Sequence, residues 1–218
     1  IQKMFEKSEW GSYLGVIPED FEKNSNLCLF GDGQWILRKN QIGTFCRKYK
    51  DDGIPGLDDG PDPFFKFALP KIPLGILKQQ VSFYRQVMKR HSNAEAYSIV
   101  MYDKEEERYF LVIPKQRISG ASVSYAQDDL RKEYPSNRYI EVISAHSHNS
   151  MAAFFSGIDD NDEQGDMLYM DMGRLEQASP KFKIRANVAG KQCLFLELSD
   201  LFEIDEEEWN VLSPGWVN

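Results

Sequence analysis

Long apolar runs are missing from this chain: none approaches the ~20 residues of a membrane-spanning helix, so no membrane-embedded role is expected. The opening segment, IQKMFEKSEW, has no apolar stretch that would serve as a secretory signal. Cysteine is scarce, with Cys28, Cys46 and Cys193 far apart and no Cys-x-x-Cys pair. An odd, scattered set of thiols argues against a disulfide framework and a thiolate zinc site, and points to a reducing, cytoplasmic setting. Lys and Arg form no concentrated stripe, which argues against a dedicated nucleic-acid binder. There is no internal repeat and no low-complexity tract.

Several reaction-centre motifs are also lacking. The chain has no His-Glu-x-x-His helix, Walker loop, Gly-x-Ser-x-Gly elbow or Gly-x-Gly-x-x-Gly turn. The nucleobase-deaminase pairing of His-x-Glu with Pro-Cys-x-x-Cys is absent too. Only three histidines occur, His91, His146 and His148. That is too few for a metallo-β-lactamase-type hydrolase or a PHP-type phosphoesterase.

What is present is ordinary for a soluble globular protein. The 218 residues are 42% hydrophobic, 13% aromatic and 28% charged, enough to bury a real core in one large domain or two small ones. The net charge of -8 is local. Segments 158–171 and 200–208 each hold six acids and no base, and elsewhere bases outnumber acids. Two acidic patches favour cations or basic partners, and a solvated helix face is the plainer reading of each.

The clearest seam is 51–74, which contains five of the ten prolines and three glycines. It separates a small β-rich N-terminal domain with its linker (1–72) from a domain over 73–198 and an acidic C-terminal helix and tail (199–218). In the first part, NLCLF and WILRKN read as a hairpin across Gly-Asp-Gly, with QIGTFCRKY as a third strand. Nothing there resembles a reaction centre. After the seam, Leu77, Val81, Tyr84 and Met88 repeat at helical period, with Pro73 at the start. Strands AYSIVMYD, RYFLVIP and ISGASVSY follow, then a short helix AQDDLRKEY and strand RYIEVISAHSH. A helix is expected from near Ser156 through the acidic stretch, then a strand pair FKIRANV and QCLFLEL. Interleaved strands and helices imply an α/β (α+β) fold, one mixed β-sheet flanked by helices.

The informative segment is HSHNSMAAFFSGIDD. His146 and His148, two apart on a strand, leave the same face about 7 Å apart along the backbone. Two imidazoles so placed can share one cation. Ser156 and Asp159 match a helix N-terminus, with the hydroxyl capping and the acid in the first turn. A sheet-to-helix crossover returns Asp159 toward the histidines as a third ligand. Two His and one carboxylate, with a position left for water, make a catalytic zinc site. Taken singly, His-x-His is most often a surface pair and Ser-x-x-Asp a plain capping box. Their union at this spacing favours the chemical reading.

His146-Ser147-His148, seven residues, then Ser156-Gly157-Ile158-Asp159, resembles the JAMM motif of the Jab/MPN metallopeptidase family. The upstream glutamate of that motif is best matched by Glu95, 51 residues before His146. The helix-Glu-strand order and GIDDNDE look like the prokaryotic branch, including JAMM proteins of plasmids, phages and PRTRC-type gene clusters. The resemblance covers about 73–198. It implies a JAMM/MPN-like, cytidine-deaminase-like core and zinc-dependent cleavage of peptide or isopeptide bonds, typically on ubiquitin-like proteins or their conjugates. His146, His148 and Asp159 would bind one catalytic Zn2+, Glu95 would be the acid/base, and Ser156 would steady the transition state. One departure stands out: many relatives have proline after the second histidine, where this chain has Asn149.

Two other functions compete. A non-catalytic MPN-like scaffold would bind partners through its N-terminal half and acidic tail, but such modules usually lose a ligand and none is missing here. A zinc amidase would act on a small or cell-wall peptide. Among the remaining residues, His91 reads as a helix C-terminal cap. Asp160, Asp162 and Glu163 read as exposed helix acids or as acids orienting the ligands. Glu141 is expected on the sheet face opposite His146. Met151, Phe154 and Phe155 either rim a groove or lie buried under the loop, and the cysteines are read as core.

Overall fold

The computed structural model describes residues 10–91, 94–118, 123–125 and 127–204. The chain divides into two compact units. The first comprises residues 1–69 with two short later segments, 164–166 and 186–194, and the second holds the rest. The seam thus falls at Leu69, and the first unit draws on two segments from within the stretch 73–198.

The first unit is built on a five-stranded sheet in the order β1-β2-β3-β4-β5. Its strands are β1 (Trp10–Leu14), β2 (Ser25–Leu29), β3 (Gln34–Lys39), β4 (Gly43–Lys50) and β5 (Phe64–Phe67). β1 runs parallel to β2, and the other neighbours are antiparallel. Register puts Cys28 opposite Trp35 and Leu37 opposite Cys46, so one face gathers the buried cluster of Cys28, Phe30, Trp35, Leu37 and Cys46. Burial pushes the Cys28 and Cys46 thiols up to about 12, as expected of core cysteines.

The second unit opens with β6 (Ile72–Pro73), which turns directly into α1 (Leu74–Arg90). Pro73 at φ -56° suits this entry, because its fixed φ costs nothing there and it has no N–H to leave unpaired. The apolar stripe of α1 buries Leu74, Ile76, Leu77, Val81 and Tyr84, and Lys89 and Arg90 fall in the last turn, where cations suit the dipole. His91 is the C-cap residue of α1, remote in role from any ligand set. Next come β7 (Tyr97–Asp103), β8 (Arg108–Val112), β9 (Gln116–Ile118), β10 (Val123–Tyr125), α2 (Gln127–Glu133) and β11 (Tyr139–Ser147). The remainder of the chain is α3 (Gly157–Asp162), β12 (Met167–Gly173), β13 (Lys181–Val188), β14 (Lys191–Leu196), α4 (Leu198–Leu201) and β15 (Phe202–Glu203), with residues 186–194 of β13 and β14 counted in the first unit. Six of the strands form a mixed sheet in the order β14-β13-β12-β11-β7-β8, with β11 antiparallel to β7 and parallel to β12. The fold is mixed α+β.

Both sheet faces are covered. On one, the Tyr84 hydroxyl of α1 donates to Ala145 O (2.8 Å) and meets Ser98 Oγ at 2.7 Å, tying the helix to β7 and β11. On the other, Tyr97, Ile99, Met101 and Val112 pack with Leu130 of α2. His146 stands opposite Tyr97 in the register, so it belongs to this second face.

Three expectations are corrected. The acidic stretch is not one helix: α3 ends at Asp162, and residues 167–173 form β12, buried nearly throughout. The segment ISGASVSY is not one strand, since β9 and β10 pair antiparallel across 119–122, which lie outside the described residues. The expected acidic terminal helix lies mostly outside the described residues, at 205–218; Leu198–Leu201 forms one helical turn. Glu141 is not opposite to His146. A bulge between Glu141 and Ile143 shifts the register by one, so Glu141 pairs with Met101, on the same face as Tyr97 and His146. No helix among the described residues is long and apolar enough to cross a membrane.

Candidate metal centre

The centre forms where β11 ends. His146 is its next-to-last residue, and His148 follows one residue beyond, held by its N–H donating to Met172 O of β12 (2.7 Å). Asn149 then turns the chain at φ 51°, in the left-handed region. Asparagine tolerates that conformation, whereas proline is locked near -65°. Asn149 therefore fits this turn, where proline would not. The loop lies tightly on β12: a Cβ on Gly173 would come within 2.4 Å of Ala153 N and Met151 O. Only glycine permits that approach without displacing backbone.

α3 delivers Asp159 through a complete capping box. Asp159 N donates to Ser156 Oγ (3.3 Å), and Ser156 N donates to Asp159 Oδ2 (2.6 Å). One carboxylate oxygen is thus spent on the helix start, and the other, Oδ1, stands 3.5 Å from His146 Nε2. The two imidazole Nε2 atoms are 2.9 Å apart. Tetrahedral ligands at 2.0–2.1 Å from a zinc ion lie about 3.3 Å from one another, close to these separations.

The neighbouring strand adds a residue that the sequence reading missed. Asp171 of β12 is the register partner of His146, and its carboxylate is completely buried. Its Oδ1 lies 3.2 Å from His146 Nδ1 and its Oδ2 3.7 Å from His148 Nε2. His146, His148, Asp159 and Asp171 each offer a ligand atom within 4.8 Å of the others, so the cluster is able to hold a metal ion. The only advance signal for Asp171 was its place in MLYMDMG, an apolar run bounded by Gly165 and Gly173.

Glu95 reaches the same region by an extension of strand pairing. Ala96 N donates to Ser147 Oγ (3.0 Å), and Ser147 N donates to Ala96 O (2.9 Å). The pairing of Tyr97 with His146 therefore continues, and alternation sets Glu95 across from His148 on the donor face. Its side chain is buried.

The electrostatics favour a cation. Burial pushes His146 down to about 4 and lowers His148 too, against the pull of the Asp159 charge, so both rings are neutral at pH 7 with a lone pair each. Burial, with Asp159 beside it, raises Glu95 to about 7. Burial raises Asp171 to about 9, and the charges of Asp159 and Glu163 push the same way. Both Asp171 oxygens and His148 Nδ1 are buried without a hydrogen-bond partner. Neutral imidazoles, crowded carboxylates and buried polar atoms without partners make a donor set able to hold a metal ion.

The flanking acids have a different task. Arg185 of β13, nearly fully buried, donates through Nε (3.0 Å) and Nη2 (2.7 Å) to Glu163 Oε2 and through Nη1 to Asp160 Oδ1 (2.5 Å). Its guanidinium also lies over the Phe155 ring at 3.9 Å. Asp160 and Glu163 thus orient the helix that carries Asp159, while Asp162 is exposed. Met151 and Phe154 are 44% and 41% exposed, and the Phe154 ring stands edge-on to His148 at 4.6 Å, so they rim the site. Phe155 is partly buried. No protein-family model and no curated protein matches the chain.

Proposed function

We propose that this chain is a zinc-dependent metallopeptidase of JAMM type that hydrolyses a peptide or isopeptide bond at the C-terminal tail of a ubiquitin-like protein. The observation that carries this reading is the convergence of His146 Nε2, His148 Nε2 and Asp159 Oδ1, separated by 2.9 and 3.5 Å, beside buried Glu95. The mixed sheet with helices on both faces agrees with the core that the motif resemblance implies. A zinc ion held by those three donors supplies a Lewis acid that lowers the pKa of water toward ~7.

The chain's own groups do the rest. Glu95, raised to about 7 by burial, takes a proton from the attacking water and returns it to the departing amine, which leaves poorly without one. Ser156 Oγ accepts from Asp159 N, which leaves its own O–H to donate to the carbonyl oxygen as that gains charge. Such a donor lowers the barrier by about 3 kcal/mol. Exposed Met151 and Phe154 offer an apolar wall beside His148 for an extended tail.

The test is digestion of ubiquitin-like fusion proteins by the zinc-loaded chain, with Asp159→Ala alongside. Cleavage by the wild type alone is expected. A zinc-loaded wild type that cleaves none, or an Asp159→Ala variant that cleaves equally well, contradicts the reading.

A further inference from the structure

Asp171 is the most anomalous side chain in the second unit. It is completely buried in β12, and neither carboxylate oxygen accepts a hydrogen bond. Buried carboxylates are otherwise paired or multiply hydrogen-bonded, because losing water is expensive for a charged group. Protonated, Asp171 would donate its O–H to His146 Nδ1 and leave the ring proton on Nε2, the tautomer that has no Nε2 lone pair to present to an ion. Two ring nitrogens lie beside it, His146 Nδ1 at 3.2 Å and His148 Nε2 at 3.7 Å.

The two nitrogens of His146 face different groups. Nε2 points to His148 Nε2 and Asp159 Oδ1, at 2.9 and 3.5 Å. Nδ1 points to Asp171 Oδ1. If Nε2 presents its lone pair to an ion, the neutral ring carries its proton on Nδ1, the nitrogen 3.2 Å from Asp171 Oδ1. The parallel pairing of β11 with β12 sets this contact, because His146 and Asp171 are direct register partners.

We infer that Asp171 is the positioning carboxylate of the metal centre, accepting the Nδ1–H of His146 so that Nε2 is turned toward the ion, and that it is not itself a ligand. This rests on the metallopeptidase reading and adds a residue to it. The buried charge of Asp171 also offsets that of the cation, a second reason for a carboxylate to be retained there. Metal-ligating histidines commonly have such a partner on the second nitrogen.

The test uses the full chain as wild type, Asp171→Asn, Asp171→Ala and, as a control, the exposed-acid variant Asp162→Asn. Zinc affinity is read by competition with a chromophoric chelator, metal-free melting temperature by calorimetry, and ligand field by the visible spectrum of the cobalt-substituted protein. The inference expects Asp171→Ala to weaken zinc binding 10–100-fold, Asp171→Asn to weaken it less because an acceptor oxygen remains, and Asp162→Asn to change nothing. Neither Asp171 variant should melt lower than wild type without metal, and the cobalt spectrum should keep its tetrahedral bands. A purely structural Asp171 would instead lower the metal-free melting temperature and leave affinity intact, which overturns the inference. Loss beyond 1,000-fold together with a changed cobalt spectrum overturns it in favour of direct ligation. A wild type that binds zinc while both Asp171 variants bind it equally well overturns this inference alone. A wild type that binds no zinc overturns the metallopeptidase reading and this inference with it.

Discussion

Replacing Arg185 by Met tests how the third donor is held. None of the six residues of α3 is buried, so little hydrophobic packing anchors the helix that carries Asp159. It is held by the Ser156–Asp159 capping box and by the Arg185 guanidinium, which grips Glu163 with two bonds and Asp160 with one. The Asp160 side chain is 62% exposed, so its bond contributes at most about 1 kcal/mol. The Glu163 pair is different, with side chains only 12% and 4% exposed. Breaking a buried pair by removing one partner costs about 3–5 kcal/mol, because the other charge is stranded. The partial exposure of Glu163 points to the lower end, about 3 kcal/mol, much of it expressed as local release of α3. We expect Arg185→Met to lower zinc affinity about tenfold or more and to speed hydrogen exchange in 157–163. The double variant Arg185→Met/Glu163→Gln should recover part of the loss, since no charge is then stranded. If Arg185→Met melts within a degree of wild type and binds zinc within twofold, the clamp is not what positions Asp159.

Three further outcomes are expected. Glu95→Gln should keep zinc affinity near wild type and lower amide hydrolysis 10²–10⁴-fold, measured under saturating substrate. Gly173→Ala should destabilise the chain by about 1–3 kcal/mol in denaturant titration, since the new methyl meets Ala153 N and Met151 O at 2.4 Å. The third concerns acid. Arg138, bonded to Asp103 through Nε and Nη2, holds its carboxyl down at about 2 against an ordinary 3.8. That depressed pKa gives stability fully present above pH 3.8 and lost as pH falls toward about 2. Asp103→Asn should therefore flatten this acid limb of the melting curve, and an unchanged limb would show that other groups produce it.

The parts legible in the sequence are those where local chemistry and tertiary structure agree. The β2–β3 hairpin follows from two apolar runs around Gly31-Asp32-Gly33, and α1 follows from Leu77, Val81 and Tyr84 at helical period after Pro73. The His146, His148 and Asp159 grouping was legible because histidine is rare here and each spacing carries a geometric meaning. β12 was not legible, because it is buried on both faces between β11 and β13 and shows none of the alternation of a half-exposed strand. Its acid Asp171 and the preceding Asp166 made it look continuous with α3. The position of Glu141 was lost for another reason: one extra residue in a bulge reverses alternation and leaves no mark in composition. Nothing in the sequence marks Arg185, since its partners Asp160 and Glu163 lie 25 and 22 residues away in the chain.

X-ray absorption at the zinc edge of the metal-loaded chain tests the central claim most directly. The expected spectrum has four light ligands at about 2.0–2.1 Å, with the multiple scattering of two imidazoles and no sulfur, and Asp159→Ala alters the oxygen shell. A shell of waters without imidazole scattering, or a sulfur ligand near 2.3 Å, would contradict the account.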